Sequence, residues 1–119
     1  MEWFGASLLY ECVVGNDDGG ASPLFEEQIF VLRAENEASA RAAAASIGND
    51  NALTYHNTFD EAVDWRFVTV VDVKELFDDA IGHGTEVFYR FLTKQEADVL
   101  RRAADPPLGD ESGERGAGD

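Results

Sequence analysis

VDWRFVTVVDV, residues Val63 to Val73, is the longest apolar run in the chain. Strand alternation sets Val63, Trp65, Phe67, Thr69, Val71 and Val73 on one side and Asp64, Arg66, Val68, Val70 and Asp72 on the other. The second side is apolar in its middle and charged at its ends. That is the pattern of a central strand covered on both faces at mid-length, and it makes a sheet the organising element.

Upstream, Asp60-Glu61 is a turn, and Leu53 to Phe59 reads as a strand with Leu53, Tyr55, Asn57 and Phe59 on one side. Asn49-Asp50-Asn51 is a loop. Before it, Glu37 to Ile47 is an alanine-rich helix with Asn36 as its cap, Glu37 in its first turn and Gly48 as its stop. Ala40, Ala43, Ala44 and Ile47 share one face, and residues that small let a helix approach a sheet closely. Leu24 to Ala34 is a strand with Phe25, Ile29 and Val31 in one parity and Glu26, Gln28, Phe30 and Leu32 in the other. The latter face starts polar and ends apolar, so the strand runs from an exposed rim into the core. Asn16 to Gly20 with Ser22-Pro23 is loop chemistry, and Trp3 to Val14 is the first strand.

Downstream, Lys74 to Ile81 reads as a short helical turn, Gly82-His83-Gly84 as a tight turn and Thr85 to Leu92 as a last strand. Thr93 and Glu96 form a capping-box pattern for a helix through Ala104, with Ala97, Leu100 and Ala104 along one stripe. From Asp105 the chain is small, polar and acidic without periodicity, as in a disordered tail. The expected fold is α+β: residues 1–104 form one domain, an antiparallel sheet of about five strands in the order ββαβββ. The alanine-rich helix lies on one face, the C-terminal helix docks on the sheet or its edge, and residues 105–119 are an acidic tail. A sheet edge left open would let two chains pair as a homodimer.

The 119 residues hold 24 Asp and Glu against 9 Lys and Arg, a formal net charge of -15, of which -11 falls on residues 1–104. At 45% hydrophobic and 11% aromatic the chain is too rich in core formers to be an acidic disordered polymer. Lys and Arg cluster only at Arg101-Arg102, so nucleic acid and anionic membrane surfaces are disfavoured partners. A basic protein is the partner this field would attract, although the same charge also serves solubility alone. Cys12, inside an apolar run, is expected to be a small buried hydrophobe. The apolar start is broken by Glu2 and Glu11 and has no basic segment, so a cytoplasmic location is expected.

No nucleophile elbow, phosphate loop or established metal-ligand spacing is present, so no enzyme activity, metal or cofactor is implied. His56 is expected on the exposed face of its strand. His83, near Asp78, Asp79 and Glu86, lies in an acidic turn whose spacing matches no established cation site. The candidate binding residues are Asp72, Glu75, Asp78 and Asp79. On a helical turn Glu75, Asp78 and Asp79 would stand three and four apart, one acidic patch able to receive Lys or Arg.

WFGASLLYE at 3–11, LFEEQIFVLRA at 24–34, WRFVTVVDVKELFDD at 65–79 and GTEVFYRFL at 84–92 together resemble a family of small bacterial proteins classed as a domain of unknown function. The resemblance implies a bacterial, soluble, intracellular, single-domain protein and carries no activity, cofactor or functional residue with it. Three functions stay open. One is a non-enzymatic module, immunity- or antitoxin-like, that binds a basic protein. Another is a small metal- or ligand-binding enzyme using the acidic cluster near His83. The third is a homo-oligomeric accessory protein.

Overall fold

The computed structural model describes residues 1–15 and 24–104. The loop expected at Asn16 to Pro23 and the tail expected from Asp105 lie outside the described residues. The elements are β1 (Glu2–Val14), β2 (Leu24–Ala34), α1 (Glu37–Asp50), β3 (Leu53–His56), β4 (Ala62–Glu75) and α2 (Lys94–Ala104). The chain divides into two compact units, Met1–Tyr89 and a second beginning at Arg90.

In the first unit four antiparallel strands make one sheet in the order β2-β1-β4-β3. The α+β class holds with four strands rather than about five. Its deepest strand is β1, whose Phe4, Ala6, Leu8 and Tyr10 are buried on one face. Opposite them in register stand Leu32 and Phe30 of β2, and Val73, Val70 and Phe67 of β4. Across this face lies α1, capped by Asn36, whose Oδ1 accepts from the Ser39 N–H at 2.8 Å. Ala40 and Ala44 are fully buried against the core, so the small residues seat the helix. Gly48 does not stop α1, which runs on to Asp50. A Cβ on Gly48 would stand 2.5 Å from Cε1 of Phe67, so a bare backbone is needed where helix meets ring. The Tyr10 hydroxyl donates to the Gly48 carbonyl at 2.9 Å and satisfies a helix-end acceptor. Its ring leans on Phe67 at a centroid distance of 5.7 Å.

Pairing of β1 with β4 is not straight. The register jumps between Ser7 and Leu8 and again between Leu9 and Tyr10, leaving Val71 and Val68 as extra residues on β4. Each extra residue reverses the alternation, bends the strand and adds to the curl of the sheet. Simple alternation therefore fails in mid-strand. Val63, Trp65, Phe67, Val70 and Val73 face the core, while Thr69 pairs with Leu9 on the other face and Val71 is exposed.

Three further expectations are corrected. Lys74 and Glu75 finish β4 and no helical turn forms at 74–81, because the Leu76 N–H donates to the Trp3 carbonyl at 2.8 Å and buries its side chain. No strand forms over Thr85 to Leu92. Instead Val87 and Phe88 cross the sheet face opposite α1, where a Cβ on Gly5 would overlap the Val87 carbonyl oxygen. The segment 76–89 is thus a strap over the sheet. Finally, β3 ends at His56, because Asn57 turns the chain: its Oδ1 accepts from Phe59 and Glu61 at 2.9 and 3.0 Å. Asp60 in that turn takes φ 62, a value that Asp tolerates.

In the second unit, α2 starts at the expected capping box. The Thr93 N–H donates to Glu96 Oε1 at 2.9 Å, and Thr93 Oγ1 accepts from the Glu96 N–H at 3.2 Å.

Candidate functional site

The four candidate binding residues do not share the helical turn expected of them. Asp72 is an internal ion-pair acceptor, 3.6 Å from Arg41 Nη2 of α1 and 3.4 Å from Lys74 Nζ. Arg41 also pairs with Glu37 at 3.2 Å, so Asp72 helps tie helix to sheet. Such half-exposed pairs contribute about 0.2–1 kcal/mol each. Glu75 is exposed at the end of β4, opposite Phe4, and Asp78 and Asp79 are exposed in the strap. The three- and four-residue spacing that was to align them belongs to a helix that does not form. Glu75, Asp78 and Asp79 enter no ion pair among the described residues. His83 is exposed between Gly82 and Gly84, and His56 is exposed on β3. Among the described residues, His, Cys, Asp and Glu nowhere gather in threes as a cation site would need.

What the site does present is charge. Residues 1–89 hold 17 Asp and Glu against 4 Lys and Arg, a net -13, whereas residues 90–104 carry +2. The four cations are already engaged. Arg41 and Lys74 hold Asp72, and Lys74 also lies over the Tyr89 ring at 5.3 Å. Arg66 holds Asp64 at 2.7 Å. Arg33 stacks over Trp3 at 5.2 Å and donates to the Met1 carbonyl. The Arg66 hydrogen bond, and then that of the Thr54 hydroxyl, hold the Asp64 carboxyl below the usual carboxylate range. Most remaining carboxylates face water, so the sheet unit presents a largely uncompensated negative surface.

Two features escape sequence reasoning. The fully buried Ser7 hydroxyl donates to Glu27 at 2.5 Å, a contact that only the strand register reveals. The face of β2 turned away from α1 exposes Phe25, Ile29 and Val31 at 49%, 41% and 39%. Their alternation is plain in the sequence, yet nothing local says which parity the helix covers. In the second unit, Arg90, Leu92, Glu96, Val99 and Leu100 line a shallow groove of about 230 Å³ whose apolar members are open to water. No helix among the described residues is long and apolar enough to cross a membrane.

A family model described as Domain of unknown function (DUF4288) matches residues 3–89, a range that holds the opening motif and the long-strand motif. No curated protein and no solved structure matches the chain.

Proposed function

The chain belongs to the DUF4288 family, and we propose that this member is a non-enzymatic module that binds a basic protein through its acidic sheet unit. An immunity- or antitoxin-like role against a basic toxin is the concrete form of that reading. One observation carries it: a net -13 on residues 1–89, with their four cations already held by internal partners. Exposed carboxylates of this kind add little to the stability of the fold. Their field raises the encounter rate with a positive surface and falls with salt, because a Debye length of about 8 Å at physiological ionic strength screens it. Glu75, Asp78 and Asp79, exposed and in no ion pair among the described residues, are the carboxylates we assign to meet a partner's Lys or Arg.

The test is affinity capture from host lysate at low salt, with elution by rising salt, run beside the variant Glu75→Gln, Asp78→Asn, Asp79→Asn. The expected result is one stoichiometric basic protein, released by salt, whose association with the variant is slower by about tenfold. An unchanged capture by the variant, or a retained protein indifferent to salt, refutes the reading.

A further inference from the structure

We propose that two copies of this chain join edge to edge through β2, making one continuous sheet across a two-fold axis that passes by Phe30. β2 is a terminal strand of the sheet, so among the described residues one of its edges has no strand beside it. The other terminal strand, β3, is only four residues long, whereas β2 runs for eleven and pairs with β1 without a register shift. Monomeric proteins guard such an edge with Pro, charged side chains (Lys above all), a bulge or a covering segment. Leu24–Ala34 contains neither Pro nor Lys, and no bulge interrupts its ladder; its charges are Glu26, Glu27 and Arg33, so a second copy must answer them for the edge to pair. Its open face also carries the exposed side chains of Phe25, Ile29 and Val31.

Charge selects both the occupant and the register. In an antiparallel two-fold pairing centred on Phe30, residue Glu27 stands opposite Arg33 of the second copy, and Ile29 opposite its Val31. By symmetry each contact forms twice. Cross-strand neighbours of this kind approach to about 4.5–5.5 Å between Cβ atoms and share a face of the sheet. The side chains of Ile29 and Val31 then cover one another on the open face, and the two Phe30 rings meet on the α1 face. Glu26 falls opposite Ala34 and Gln28 opposite Leu32, so no like charges are opposed. A shift of centre to Val31 would set Glu27 against Glu35. A shift to Ile29 would leave Glu27 opposite Val31, with no cation. The strand is complementary to itself in one register.

This pairing goes beyond the binding reading and does not rest on it, since salt moves the two in opposite directions. Two copies at net -15 repel, so moderate salt strengthens the dimer while it weakens attachment to a basic protein. The test is sedimentation equilibrium of the full chain over a wide concentration range, in low and moderate salt. The expected species has twice the 13.0 kDa chain mass. Arg33→Glu is expected to weaken it at least about tenfold by placing like charges across the seam, and Glu27→Arg with Arg33→Glu to restore it. Glu27 also accepts from Ser7, so Ile29→Lys, at an exposed position, is a second disrupting variant whose fold is checked by circular dichroism. Slow amide exchange along the outer edge of β2, lost in Ile29→Lys, is expected as well. A monomer at every concentration, or a dimer that neither Arg33→Glu nor Ile29→Lys weakens, overturns the proposal.

Discussion

Removing one oxygen from Tyr10 tests how α1 is fastened to the sheet. Tyr10→Phe keeps the ring, its complete burial and its contact with Phe67, so the apolar contribution is unchanged. What goes is the donor to the Gly48 carbonyl, an acceptor in the last turn of α1 with no partner further along the helix. A typical hydrogen bond contributes about 0.5–1.5 kcal/mol net, and an acceptor left buried and unsatisfied costs about 1–3 kcal/mol. The expected loss is therefore about 1–3 kcal/mol, a drop in Tm of about 5–15 °C for a unit of this size. Alkali gives an independent reading. Burial first, and the Glu26 carboxylate second, hold the Tyr10 hydroxyl above its ordinary 10.0. Its stabilising contribution is thus complete below about pH 10 and is lost as the pH rises through the higher folded value. Urea unfolding followed by circular dichroism, at neutral and rising alkaline pH, measures both effects. A loss under about 0.5 kcal/mol, or a variant that keeps the alkaline decline in full, would show that the hydroxyl does not fasten the helix.

Two other outcomes follow from the geometry. Gly5→Ala drives a Cβ into the Val87 carbonyl, a backbone atom that cannot swing aside, so the strap must lift; the expected cost is about 1–3 kcal/mol with faster amide exchange over 85–89, and unchanged exchange there would contradict it. In the second unit the Thr93 backbone N–H, then its hydroxyl, hold the Glu96 carboxyl below its ordinary 4.5. The cap is therefore fully effective above about pH 4.5 and fails as pH falls through the lower folded value, whereas Glu96→Gln keeps the helix and removes that pH dependence. A carboxyl titration of Glu96 by NMR, read beside the helicity of α2, checks it.

The parts legible from sequence are those decided locally. Asn36 and Thr93 cap the two helices where their side-chain chemistry says they should, and the apolar runs of β1 and β2 give those strands almost to the residue. Reading fails where a distant partner decides. Thr85 to Leu92 has the composition of a strand, but Gly5, eighty residues earlier, offers a bare backbone that lets the same residues cross the sheet face. Gly48 looks like a helix stop, yet Phe67 and Tyr10 make its missing side chain a packing requirement inside the last turn. The acidic patch rests on helical spacing, and the extension of β4 to Glu75 removes the helix on which that spacing depends. Net charge needs no geometry and is read whole from the sequence.

Counting along β4 gives a rule about chain length. The two register jumps cancel, so the core set on either side of them falls on one face. Deleting Val71 alone would remove one bulge, set Val70 two places from Val73 and leave every other residue opposite its β1 partner, so the inside and outside of the layer are kept. Deleting Val68 as well restores strict alternation through Phe67, Val70 and Val73, and straightens the curl without exchanging inside for outside. In this strand the loss of a bulge residue is tolerated, whereas the loss of a paired residue such as Arg66 would turn Trp65 and Val63 to the opposite side from Phe67.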